Sequence, residues 1–226
     1  MSDKIRLYGV KWSTKQGGPS PDENNRTELY FMGCDKAVKG NPCEGCFNPD
    51  LWETKPGAIE RSPEEMAAHI SKHAPNKFIT IVGGEPTDQL EGLTKLCRLL
   101  KADGFHIIVF TWRSMANMLI GIWAPKYAEW VEMLKHVDII VDGQYNSKHH
   151  IYDYEAGDGF HDAIGSGNQI VWDLNEWNSL GHPLEINGLA AGDLEGLYVL
   201  PSGELRYITK EQVNPQRLPV VQRGAA

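Results

Sequence analysis

Residues 77–111 read KFITIVGGEPTDQLEGLTKLCRLLKADGFHIIVFT, and this stretch decides the fold class. Lys77 to Val82 is a β-favouring run that stops at Gly83-Gly84-Glu85-Pro86. Asp88 then opens a helix in which Leu90, Leu93, Leu96, Cys97 and Leu100 are spaced for one buried face. Gly104 ends that helix, and Phe105 to Thr111 forms a second apolar strand. Strand, helix and strand, with both strands apolar along their length, predict two parallel strands joined by a crossover helix.

The same rhythm continues on both sides. Upstream, Ser62-Pro63-Glu64-Glu65 is a helix start: Ser62 can cap, Pro63 needs no amide partner, and Glu65 can close a capping box. Met66, Ile70 and His73 then share one stripe. Residues 27–33 (TELYFMG) predict a short strand, and residues 4–12 a weaker one. Downstream, residues 124–136 predict a helix and 137–143 (VDIIVDG) another buried strand. The pattern loosens over 144–168, which reads as an irregular polar segment, before a further strand at 168–174. A hairpin around Pro201-Ser202-Gly203 (197–209) and a flexible tail complete the chain. The expected organisation is a core over 1–175 and a C-terminal extension over 176–226.

Composition narrows the function classes. The 226 residues can bury a sizeable core, and a net charge of −8 argues against a nonspecific nucleic-acid binder. No run reaches the roughly 18 apolar residues of a membrane span, and the N-terminus lacks the apolar stretch of a signal peptide. A cytoplasmic location is expected, where clustered cysteines bind metal or do chemistry more often than they form disulfides.

Three of the four cysteines lie in residues 33–52, GCDKAVKGNPCEGCFNPDLW. Cys43 and Cys46 form a tight pair with Gly45 relieving the backbone, and eight residues let Cys34 fold back to the same centre. Three thiolates suit an iron–sulfur cluster with one open position. Zinc with a ligand from elsewhere, or free thiols, are the alternatives that spacing leaves open. Cys97, on an apolar helical stripe, reads as a core residue. The Gly83-Gly84 turn lets backbone approach a ligand, or is only a tight strand-to-helix turn. Thr111 and Arg113 at one strand end, and Asp142 at another, are weaker candidates. His149, His150 and His161 match no ligand spacing and read as loop residues.

Together, the cysteine loop after one strand and GGEP after the next resemble the radical S-adenosylmethionine superfamily. CEGCFNPDLW, VDGQY and GSGNQ resemble in particular the activating proteins of anaerobic (class III) ribonucleoside-triphosphate reductase. The spacing of eight residues after Cys34, where the superfamily usually has three, departs from that pattern. It also keeps in view an enzyme acting on a small molecule, such as a 7-carboxy-7-deazaguanine synthase-like reaction.

The resemblance implies a partial (β/α) barrel of about five or six mostly parallel strands. It implies that Cys34, Cys43 and Cys46 hold a [4Fe–4S] cluster whose fourth iron binds S-adenosylmethionine. The turn Gly83, Gly84 and Glu85 would offer backbone acceptors to the methionyl ammonium; Gly45, Cys46 and Phe47 would lie beside the adenine. Thr111, Arg113 and Asp142 would be further cofactor contacts. The implied reaction is reductive cleavage of S-adenosylmethionine, fed by a flavodoxin-type donor. It produces a glycyl radical on the reductase, an oxidoreductase activity of the formate C-acetyltransferase-activating type.

Overall fold

The computed structural model describes residues 4–14, 25–53, 57–119, 126–149, 165–166 and 168–175, and the backbone of short strands at 184–185, 196–199 and 205–208. Strands β1 (Ile5–Thr14), β2 (Arg26–Phe31) and β3 (Ile59–Arg61) precede helix α2 (Pro63–His73), with a one-turn helix α1 (Asp35–Val38) inside the cysteine loop. Then come β4 (Phe78–Gly83), α3 (Leu90–Ala102), β5 (His106–Phe110), α4 (Met115–Leu119), α5 (Tyr127–Leu134), β6 (Ile139–Asp142), β7 (Ile170–Asp173) and β8 (Leu184–Glu185). These strands form one mixed sheet in the order β3-β1-β2-β4-β5-β6-β7-β8. The centre, β2-β4-β5-β6, is parallel, as the strand-helix-strand reading predicts. Antiparallel strands extend it at both edges, β1 and β3 on one side and β7 and β8 on the other.

Alternation along the strands gives the sheet two distinct faces. Ile79 and Ile81 of β4 and Ile107 and Val109 of β5 join Met66 and Ile70 of α2 and Leu93, Leu96 and Leu100 of α3 in the main core. The residues between them, Ile108 and Phe110, lie on the other face in a small cluster with Ile139, Val141 and Val171. That second face is left for a site. Cys97 is fully buried in the main core, where burial pushes its thiol well above the ordinary range.

The helix start at Ser62 forms as its residues dictate. The Glu65 amide donates to Ser62 Oγ at 3.2 Å and the Ser62 amide to Glu65 Oε2 at 3.0 Å. At the amino ends of the parallel strands, fully buried Arg26 donates to Thr80 Oγ1 (2.7 Å), the Ile79 carbonyl (2.6 Å) and the His106 carbonyl (3.0 Å). Burial lowers its guanidinium to about 9, so the cost of burying the charge is met by stitching three strands together. The site lies at the opposite, carboxyl end.

Two further strands, β9 (Gly196–Val199) and β10 (Leu205–Ile208), pair antiparallel where the hairpin is expected. The tail and His150 and His161 lie outside the described residues.

Candidate metal centre

Register brings the cysteine loop and the GGEP turn together. Phe31 of β2 stands opposite Gly83 of β4, so both strands end at the same level. The Gly84 amide donates to the Phe31 carbonyl (2.9 Å) and the Glu85 amide to the Gly33 carbonyl (2.7 Å). This approach is why glycine is required twice. A Cβ on Gly83, whose φ is +121°, would stand 2.2 Å from the Phe31 carbonyl oxygen, and one on Gly84 2.3 Å from that of Gly33. The two glycines therefore admit the backbone that carries Cys34. Gly84 itself lines the cavity edge.

The eight residues after Cys34 fold compactly. Cys34 sits at the N-cap of α1, and the Asp35 amide is held by Asp88 Oδ2 at 2.6 Å. Gly40, with φ +85°, turns the chain back, and the buried Lys36 ammonium donates to the Asn41 carbonyl. Cys43 and Cys46 then close a turn through the Cys46 amide and Cys43 carbonyl (3.3 Å). Beyond them, Pro49–Leu51 forms a 3-10 turn that returns the chain to its start. Gly33 donates to the Leu51 carbonyl (2.9 Å) and Cys34 to the Trp52 carbonyl (2.8 Å).

All four cysteines are free, and Cys34, Cys43 and Cys46 line one cavity. Gly83, Gly84, Glu85, Phe47, Thr111 and Trp112 share its wall. Among the described residues, no three His, Cys, Asp or Glu side chains gather about a single ion-sized point. Burial raises Cys34 to about 11 and also raises Cys43, against Lys36 and the Tyr145 amide, which favour the Cys43 thiolate. Cys46 Sγ accepts a hydrogen bond from Trp52 Nε1 at 3.3 Å. Three sulfurs around one cavity, each supplied with an N–H donor (the Ala37 amide for Cys34, the Tyr145 amide for Cys43 and the Trp52 indole for Cys46), are a donor set that fits an iron–sulfur group with an open position.

The remaining predicted residues divide. Glu85, fully buried, faces into the protein and organises it: Oε1 accepts from the Thr87 amide (3.0 Å) and Thr111 Oγ1 (2.9 Å), Oε2 from the Trp112 amide (3.0 Å). Burial raises its carboxyl, while Arg113 and these donors pull the other way. Arg113 donates to Thr87 Oγ1 and Asp88 Oδ1, both at 2.6 Å, and so braces the carboxylate that holds Asp35. Arg113 is thus spent on this brace and does not line the cavity. Asp142 is also turned away from it, accepting from the Met115 amide at 2.6 Å; burial pushes its carboxyl up to about 6.

Phe47 is 62% exposed and packs at a tilt against Tyr145, with ring centroids 4.4 Å apart and planes at 44°. Gly45, with φ +72°, lets the loop pass Ser147, whose Cβ would be 2.7 Å from an added methyl. Gln169 is one residue that motif reading alone did not single out. Its Oε1 accepts from the Gly165 and Ser166 amides (2.9 and 3.2 Å), and its Nε2 donates to the Gly143 carbonyl (3.2 Å), knitting the VDG and GSGNQ turns together. Lys36, Trp52 and Asp88 are others; their roles depend on contacts across the loop that spacing does not display.

The family described as "4Fe-4S single cluster domain" matches residues 23–171, which span the sheet centre, the cysteine loop and the GGEP turn. The chain belongs to this radical S-adenosylmethionine family. It is 28% identical to the anaerobic ribonucleoside-triphosphate reductase-activating protein of Enterobacteria phage T4, over 53% of this chain and 70% of that protein. It is 30% identical to the pyruvate formate-lyase-activating enzyme of Staphylococcus epidermidis, over 60% of this chain and 52% of that enzyme. The corresponding enzyme of Clostridium pasteurianum is 29% identical over 51% and 44%. The chain thus spans about half the length of the pyruvate formate-lyase-activating enzymes it matches. No helix among the described residues is long and apolar enough to cross a membrane.

Proposed function

We propose that this chain is a radical S-adenosylmethionine activating enzyme that places a glycyl radical on an anaerobic ribonucleoside-triphosphate reductase. The observation that carries the reading is the meeting of Cys34, Cys43, Cys46 and the Gly83-Gly84 turn on one cavity at the carboxyl ends of parallel strands. Cys34, Cys43 and Cys46 would hold a [4Fe–4S] cluster. When bound, the cluster and S-adenosylmethionine together would supply one-electron chemistry able to generate a hydrogen-abstracting radical.

The protein's own part is placement and exclusion of water. The Gly83-Gly84-Glu85 turn would offer backbone acceptors to the methionyl ammonium. Phe47 and Gly45, beside Cys46, would border the adenine, and Thr111, whose hydroxyl donates to Glu85 Oε1 and accepts from the Arg113 amide, would help to hold the turn at the wall. Arg113 and Asp142 would act through the turns they hold.

Two considerations support a reductase as the target. The matched region covers more of the phage reductase-activating protein than of the lyase-activating enzymes. The CFNPDLW text after the third cysteine points the same way. The electron would come from a flavodoxin-type donor, in the cytoplasm, with no nucleic acid or membrane involved.

The test is anaerobic incubation of the reconstituted protein with S-adenosylmethionine, a reductant and either reductase or pyruvate formate-lyase. A glycyl-radical signal in electron paramagnetic resonance on the reductase supports the proposal. A signal on the lyase alone reassigns the target, and S-adenosylmethionine cleavage with neither signal favours a small-molecule substrate.

A further inference from the structure

We infer that Trp52 is a positioning residue that sets the reduction potential of the metal centre through its indole N–H. This rests on the proposal that Cys46 is a cluster ligand. Trp52 Nε1 donates to Cys46 Sγ at 3.3 Å, within the usual range for a bond to sulfur. The indole is not free to drift. Its own carbonyl is held by the Cys34 amide at 2.8 Å, and the 3-10 turn Pro49–Leu51 fixes the approach of the chain. The ring also lines the same cavity as all three cysteines. One residue therefore ties two of the three thiol-bearing positions, Cys34 by its main chain and Cys46 by its side chain.

The direction of the effect follows from charge. Reduction adds one electron and so one negative charge, and no bond forms or breaks. An N–H aimed at a ligand sulfur stabilises the more negative state, so it raises the potential. Removing it makes the centre harder to reduce. A merely structural tryptophan would leave the potential where it is.

The experiment uses the full chain, reconstituted anaerobically with iron and sulfide and counted for both. Protein labelled with 15N in the tryptophan indole is reduced with dithionite and measured by pulsed electron paramagnetic resonance. Trp52→Phe is measured alongside it, and both are titrated against redox mediators. The expected result is a 15N coupling in the native protein that is absent from Trp52→Phe. The variant's potential should move to more negative values by up to a tenfold change in the reduction equilibrium, which is 59 mV for one electron.

A fully loaded native protein without the coupling, a coupling that survives in Trp52→Phe, or equal potentials overturns the inference. If Trp52→Phe fails to hold iron, labelled Trp112→Phe protein, which removes the other indole lining the cavity, decides in its place: loss of the coupling there, or no coupling, overturns the inference. Native protein that binds no iron and sulfide overturns the cluster reading as well, and so separates that failure from the others.

Discussion

Replacing Gly84 with alanine probes the contact on which the site depends. The added methyl would stand 2.3 Å from the Gly33 carbonyl oxygen and 2.7 Å from that of Leu51, both main-chain atoms with no freedom to swing aside. Relief requires the GGEP turn to move off the cysteine loop. That movement weakens the bonds from Gly84 to Phe31 (2.9 Å) and from Glu85 to Gly33 (2.7 Å), each worth ~1 kcal/mol. Overpacking adds ~1–3 kcal/mol, and the stiffer unfolded chain returns ~0.4–1 kcal/mol. The net loss is about 3 kcal/mol, to be read from urea unfolding followed by tryptophan fluorescence. Gly9→Ala is the control, since a methyl there meets nothing within 4 Å. Gly84→Ala should also hold less iron after reconstitution. A Gly84→Ala protein as stable as Gly9→Ala, with undiminished iron, would refute the reasoning.

Two other predictions concern residues inside the fold. Alanine at Cys34, Cys43 or Cys46 should each abolish S-adenosylmethionine cleavage, whereas Cys97→Ala should retain it at a stability cost of ~1 kcal/mol for one lost buried group; a folded Cys97→Ala protein that neither binds iron nor cleaves would reverse that assignment. The Asp142 carboxyl is raised by burial to about 6, above its unfolded value of ~3.9. Its contribution to stability is therefore present at low pH and lost as pH rises through 6. Asp142→Asn should gain on the native protein between pH 4 and pH 8, by at most ~3 kcal/mol. An equal difference in unfolding free energy at the two pH values would contradict this.

What could be read from the sequence was what local pattern controls. The parallel centre of the sheet follows from apolar strands separated by amphipathic helices, and the capping box at Ser62 and Glu65 needs only four neighbouring residues. The edge strand β3 did not show, because its three residues are all exposed and carry no burial pattern. The GGEP glycines were visible as a close approach, but what they approach was not: the partner is the backbone of Phe31 and Gly33, more than 50 residues away in the chain. Arg113 read as a group facing a ligand, yet it braces Asp88, and the Glu85 carboxylate, read only as part of a turn, organises Thr87, Thr111 and Trp112. Charged residues at strand ends serve equally well as ligand contacts or as internal ties, and only the fold separates the two. Lys36 was passed over for the same reason, since its burial comes from the fold of the inserted turn.

The spectrum of the reduced protein, with and without S-adenosylmethionine, tests the central claim most directly. Reconstituted anaerobically and reduced with dithionite, the native chain should give the electron paramagnetic resonance signal of one [4Fe–4S] cluster, and adding S-adenosylmethionine should change its shape, because a ligand has reached the iron that no cysteine holds. A cluster signal that ignores S-adenosylmethionine, or a colourless protein carrying one zinc, would contradict the account.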